Sequence, residues 1–211
     1  RRLSSAASDV YKRQAIILTL IIISGEIDLS IASMIALTAV IFGTAYNAGL
    51  GMPISMLIAL FSGTLCGLFN GILVTQLQIP SIILTIGTLT LYRGIAQSLA
   101  SDFSLGGYPS WFIGIDYRYI GIVPIPVIIF TVFAIVVGFF LSSTIYGKQL
   151  YLIGTNPQTA KYSGIKVDRI KLLLFTLSGL VCGIAGVLTT SRLAVARFNM
   201  ATGAELEIVL M

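Results

Sequence analysis

Apolar runs of about twenty residues recur along this chain, the length that a helix needs to cross a bilayer. Short polar turns separate them. Ala15–Ser24 is too short to cross and reads as the remnant of a span. Leu29–Asn47, Met52–Gln76 and Pro80–Leu99 follow, joined by the turns at Ala48–Gly51 and Gln76–Ile79. Pro80 suits a helix start, where its missing N–H costs nothing. A longer loop, Ala100–Arg118, carries Gly106, Gly107 and Pro109. Tyr119–Ser143 is the fifth span, with Pro124 and Pro126 near its beginning. A polar segment, Thr144–Arg169, precedes the sixth at Lys171–Ser191. Arg192–Met211 is polar and turns apolar at Ile208, as a re-entrant piece leading into a further span would. The pattern predicts an all-α polytopic transmembrane helix bundle with about six spans.

Composition agrees. Hydrophobic residues make up 56% of the 211 positions and charged residues only 10%, against roughly 25% in soluble domains. So few polar groups cannot cover a soluble core. An ordinary cytosolic enzyme, a disordered chain and a nucleic-acid binder are excluded. There is no His, which removes His triads and His metal sites. Cys66 and Cys182 lie in apolar runs and make neither a disulfide framework nor, alone, a zinc site. No cofactor is expected.

The charges sit where a bilayer tolerates them. Between Asp28 and Asp102 the sole charge is Arg93, and Tyr119–Tyr146 and Leu172–Ser191 carry none. Thr144–Lys171 holds Lys148, Lys161, Lys166, Arg169 and Lys171 against Asp168 alone. The excess of positive charge places this segment in the cytoplasm. Alternation then puts Ala100–Arg118 outside, where its aromatics Tyr108, Trp111, Phe112, Tyr117 and Tyr119 are expected at the membrane interface. A short helix is expected around Pro109–Ile113.

The first fourteen residues differ in kind. Arg1–Gln14 is polar and basic, and its run DVYKRQ resembles the translation of a transposon end used in sequencing libraries. We expect residues 1–14 to be non-native and to pack against nothing, with residues 15–211 a partial permease-type domain that begins inside a helix. Setting aside the segment's four cations and one acid lowers the net charge from +5 to about +2.

Four local patterns carry candidate chemistry. Gly63, Gly67 and Gly71 share one helix face, as do Gly179 and Gly183, and small faces let membrane helices pack closely. They serve helix packing, either static or as a moving interface. Glu26 and Asp28 stand between two apolar helices. Asp28 reads as a cap for the following helix or, with Glu26, as a polar break on a transport path. Arg93 reads as a residue that snorkels to the interface, pairs with Asp102 or Asp116, or meets a substrate. Finally, Asn156 suits an N-cap, Pro157 the first helical position and Gly164 a stop, which predicts a short cytoplasmic helix at Pro157–Ser163. Too short to stand alone, it must dock on lipid headgroups or on a cytoplasmic partner. Ala160 is placed on the docking face. The chain has neither G-x-x-x-x-G-K-[ST] nor G-x-G-x-x-G, so ATP-driven work needs a partner's ATPase.

GEIDLSIAS (Gly25–Ser33), NGILVTQLQIPSIILTIGTLTLYRGIA (Asn70–Ala96), GTNPQTAKYSGIKV (Gly154–Val167) and GAELE (Gly203–Glu207) occur in this order. Together they resemble the permease subunit of bacterial ABC sugar importers of the ribose, xylose, rhamnose and autoinducer-2 type. Glu26 and Ala32 stand where that family usually has Gly. The resemblance implies about ten spans in a whole subunit, a multi-pass place in the inner membrane and no catalysis by the chain itself. It implies three partners: a cytoplasmic ABC ATPase, a second permease subunit and a periplasmic sugar-binding protein. It also maps ATPase coupling onto Asn156, Pro157, Ala160 and Gly164. The alternative class is an ion-coupled secondary transporter, which would use Glu26 or Asp28.

Overall fold

A computed structural model describes residues 16–101, 103–115, 119–120 and 123–203. The expectation for residues 1–14 lies outside the described residues, as do Tyr117, Asp102, Asp116 and most of the GAELE motif. Helix α1 covers residues 16–23. Then come α2 (Ile31–Asn47), α3 (Met52–Thr75) and α4 (Ser81–Ala100). Two two-residue strands, β1 (Tyr119–Ile120) and β2 (Val123–Pro124), pair antiparallel before α5 (Ile125–Ser143). The chain continues through α6 (Ile145–Thr155), α7 (Pro157–Tyr162) and α8 (Val167–Leu193).

The architecture is a helix bundle, as the pattern predicts. Among the described residues three helices, α3, α4 and α8, are long and apolar enough to cross a membrane. α2 has 17 residues and is shorter than the expected span, because the chain is non-helical at residues 26–30. The fifth run loses its first residues to the β1–β2 pair. Pro80 is the cap residue outside α4 rather than its first helical residue. Part of the polar segment is itself helical: α6 was not expected from its mixed composition.

α2 is the centre. Its residues Ile31–Val40 are all buried, and α3, α4 and α8 pack around it. It can sit there because it carries no charge and its small residues Ala32, Ser33, Ala36 and Ala39 leave room. The outer faces of α3 and α4 expose Leu57, Phe61, Ile83 and Ile86, which a bilayer covers without cost.

The α3–α8 crossing is backbone on backbone. A Cβ on Gly63 would overlap the Gly179 carbonyl oxygen, and one on Gly67 would overlap that of Phe175. Gly183 lies 3.0 Å from the Ala59 carbonyl by the same construction, and Gly71 approaches the Phe175 Cβ at 3.1 Å. The glycine faces of both helices therefore meet each other.

The loop after α4 departs from expectation. Tyr108 and Phe112 are buried, not interfacial, and stack with Phe42 at centroid distances of 5.4 and 5.3 Å. Trp111 alone of the described aromatics there is exposed. Pro109 accepts from the N–H groups of Phe112 and Ile113, giving one helical turn rather than a helix. Leu105 bridges to Ala196 through two backbone bonds, so the chain beyond α8 folds back under this loop.

Candidate functional site

The short helix α7 forms because its ends are satisfied by its own sequence. Asn156 has extended backbone, and its Oδ1 accepts from the N–H groups of Gln158 and Thr159, both at 3.0 Å. Pro157 follows at the first helical position. At the far end Ile165 N–H bonds to the Ala160 carbonyl and Gly164 N–H to that of Lys161, with Gly164 at φ +81. This is a Schellman stop, and the positive φ favours glycine. Asn156→Ala is expected to cost about 0.5–2 kcal/mol of local helix stability. Faster amide exchange at Gln158 and Thr159 than elsewhere would show it, and unchanged exchange would contradict it.

One assignment is corrected. Ala160 does not face outward: it is 2% exposed and packs with Ile153 of α6 and Val167 of α8. Six residues make fewer than two turns, so only one inward position is available, and the apolar residue takes it. The outward face is Pro157, Gln158, Thr159, Lys161 and Tyr162, with Tyr162 91% exposed. Lys161 pairs with Asp168 at 3.3 Å.

Beside α7 lies a cavity of about 510 Å³, walled by the α3–α4 turn, α7 and the start of α8. Glu26 and Lys171 form an ion pair on its wall. Glu26 belongs to the non-helical break between α1 and α2. That break begins with a second Schellman stop: Glu26 N–H bonds to the Ile21 carbonyl and Gly25 N–H to that of Ile22, with Gly25 at φ +81.

Asp28, two residues on, is buried at 1% exposure. It is not the cap of α2, because Ser30 occupies that position. The Asp28 Oδ1 instead accepts from Ser30 N–H at 2.9 Å and Ser30 Oγ–H at 2.6 Å. Ser30 Oγ accepts from Asn70 Nδ2, and Asn70 Oδ1 accepts from the Tyr92 hydroxyl, both at 2.9 Å. A polar chain thus runs from the break through α3 to α4. Ile27 N–H also donates to Ser81 Oγ at 3.1 Å. The motifs read from the sequence do not single out Asn70 or Tyr92. A signal existed: Asn70 is the sole carboxamide in α3.

Arg93 stands apart from this network. Its guanidinium donates to the carbonyls of Phe198 and Met200 at 3.1 Å and to Thr202 Oγ1 at 2.9 Å. These bonds tie α4 to the segment after α8. Among the described residues no cluster of three or more Cys, Asp or Glu side chains could hold a metal.

The chain matches, over residues 13–211, the family described as the permease component of the branched-chain amino acid transport system. It is similar to the autoinducer 2 import system permease protein LsrD of Escherichia coli (strain SMS-3-5 / SECEC) and of Shigella flexneri. Identity to each is 35% over 194 residues, 88% of this chain and 58% of the relative. The chain therefore spans less than two thirds of the length of these curated relatives. No solved structure matches it.

Proposed function

The chain belongs to the family of transport-system permease components, and on that premise we propose that it is part of the membrane-spanning subunit of an ATP-driven importer of sugars or sugar-like molecules. The observation that carries the reading is α7, a self-capped helix pinned by Ala160 that turns Gln158, Lys161 and Tyr162 outward. In this reading α7 lies in the cytoplasm, with the basic segment around it, and meets a separate ATPase. The chain's lack of nucleotide-binding motifs makes that partner necessary. A second permease subunit and a periplasmic binding protein complete the assembly. The name of the relatives, autoinducer 2 import, supports a small polyhydroxylated cargo.

ATP binding and release by the partner would then shift the bundle between outward-open and inward-open states. The ion-coupled alternative gains nothing from the geometry, since Glu26 is already paired with Lys171.

The test is uptake by the full-length subunit, reconstituted in vesicles with its ATPase and binding protein. The panel is D-ribose, D-xylose, L-rhamnose and autoinducer 2. We expect uptake of one panel compound that requires ATP and ignores proton or sodium gradients. Uptake driven by a gradient without ATP would overturn the reading.

A further inference from the structure

The break between α1 and α2 touches four other elements, and one of these contacts is unusually close. α6 lies against the break at Gly154, where a Cβ would overlap the Ile23 carbonyl oxygen and come 3.8 Å from Gly25 N. α6 also belongs to two packed groups at once. Its Leu150 sits in the main core with Ile17, Leu18 and Ile21 of α1, and its Ile153 holds Ala160 of α7. On the other side of the break the Glu26–Lys171 ion pair fixes it to α8. Beyond Glu26 the polar chain from Asp28 through Ser30 and Asn70 to Tyr92 reaches α3 and α4.

We propose that Gly154 seated on Ile23 and the Glu26–Lys171 pair form the joint through which a displacement of α7 is delivered to the central helix α2. This rests on the coupling reading of α7 and adds the residues that receive its motion. Neither contact touches ATP or cargo, so these are positioning residues. The argument is one of stiffness. α7 and α6 are joined by a buried apolar cluster, and the seat at Gly154 leaves no side chain to absorb a shift. A push on α7 therefore arrives at the Ile23 backbone, one turn from the start of the break. The ion pair then decides whether the break slides along α8 or turns about it. In either case Ser30, the residue that starts α2, moves with Asp28.

The experiment uses the full-length complex in vesicles and reads three quantities: ATPase association, ATP hydrolysis, and molecules of the carried panel compound taken up per ATP. Gly154→Ala is expected to keep association and basal hydrolysis within twofold of wild type while uptake per ATP falls at least tenfold. Glu26→Lys and Lys171→Glu alone are each expected to lower uptake per ATP, and the double exchange to recover at least half of it. A merely structural pair would change thermal stability and leave the ratio alone.

Uptake per ATP within twofold of wild type in an assembled Gly154→Ala complex overturns the proposal. If Gly154→Ala does not assemble, the charge exchange decides, and a double variant no better than the singles overturns it. Tyr162→Ala is measured in parallel. Loss of ATPase association there, with normal Gly154→Ala coupling, sinks the joint but keeps the coupling helix. Retained association there, with no ATP-dependent uptake by wild type, sinks both.

Discussion

Gly67→Leu is expected to leave no folded, monodisperse protein, while Gly138→Ala is expected to be neutral or mildly stabilising. Both replace a glycine in an apolar helix, so composition does not separate them. At Gly67 even a Cβ would overlap the Phe175 carbonyl oxygen and lie 2.9 Å from Gly179 Cα. Those neighbours are backbone and cannot rotate away. α3 and α8 would have to separate along the crossing formed by Gly63, Gly67, Gly179 and Gly183, losing the close packing that holds membrane helices together. Overpacking of flexible cores costs about 1–3 kcal/mol, and a backbone obstruction belongs above that range. At Gly138 nothing lies within 4 Å, and removing a helical glycine gains up to about 1 kcal/mol. Gel filtration and thermal unfolding of the full-length subunit in detergent measure both. Monodisperse Gly67→Leu protein with an unchanged melting temperature would refute the crossing.

The second large effect separates the inside of α7 from its outside. Ala160→Glu is expected to undock the helix, because an unpaired carboxylate among Ile153, Val167 and Ile165 costs several kcal/mol. Tyr162→Ala is expected to leave stability unchanged and to weaken ATPase association at least tenfold, the loss that follows when an exposed aromatic anchor is truncated at an interface. Melting temperature and co-purification of the ATPase distinguish the two. If both variants keep wild-type association and transport, α7 is not the coupling helix.

Much of α7 was legible because its signals are local. Asn156, Pro157 and Gly164 act on their own neighbours in sequence, and cap chemistry does not depend on what else the chain packs against. The facing of Ala160 was not local: it depends on Ile153 and Val167 arriving from two other helices. Tyr108 and Phe112 failed in the same way. An aromatic in a loop is assigned to the interface by type, yet here Phe42 of α2 offers it a buried partner. α6 was missed because Gly147, Lys148 and Gly154 break its apolar pattern, while its place is set by the core around Leu150. Asp28 shows the limit most plainly. Its position before a helix suggests a cap, but Ser30 is nearer and takes that role, leaving Asp28 to order Ser30. The helix ends and glycine faces could be read along the chain, whereas the polar chain through Asn70 and Tyr92 exists only once three helices have met.

The corner between α5 and α6 has a consequence for how fast such a subunit can work. Gly147 is so close to Leu141 and Phe140 that a Cβ would overlap their carbonyl oxygens, and Thr144 closes the turn by bonding both the Phe140 carbonyl and Gly147 N–H. The angle between the two helices is therefore fixed, and any rotation of α6 swings α5 with it. α5 exposes Val132, Ile135, Val136 and Phe139, a face suited to acyl chains. A swinging α5 must stir those chains aside. The drag of the bilayer then enters the rate of the conformational step, so the same subunit turns over more slowly in a stiffer membrane with no change in its affinity for ATP or cargo.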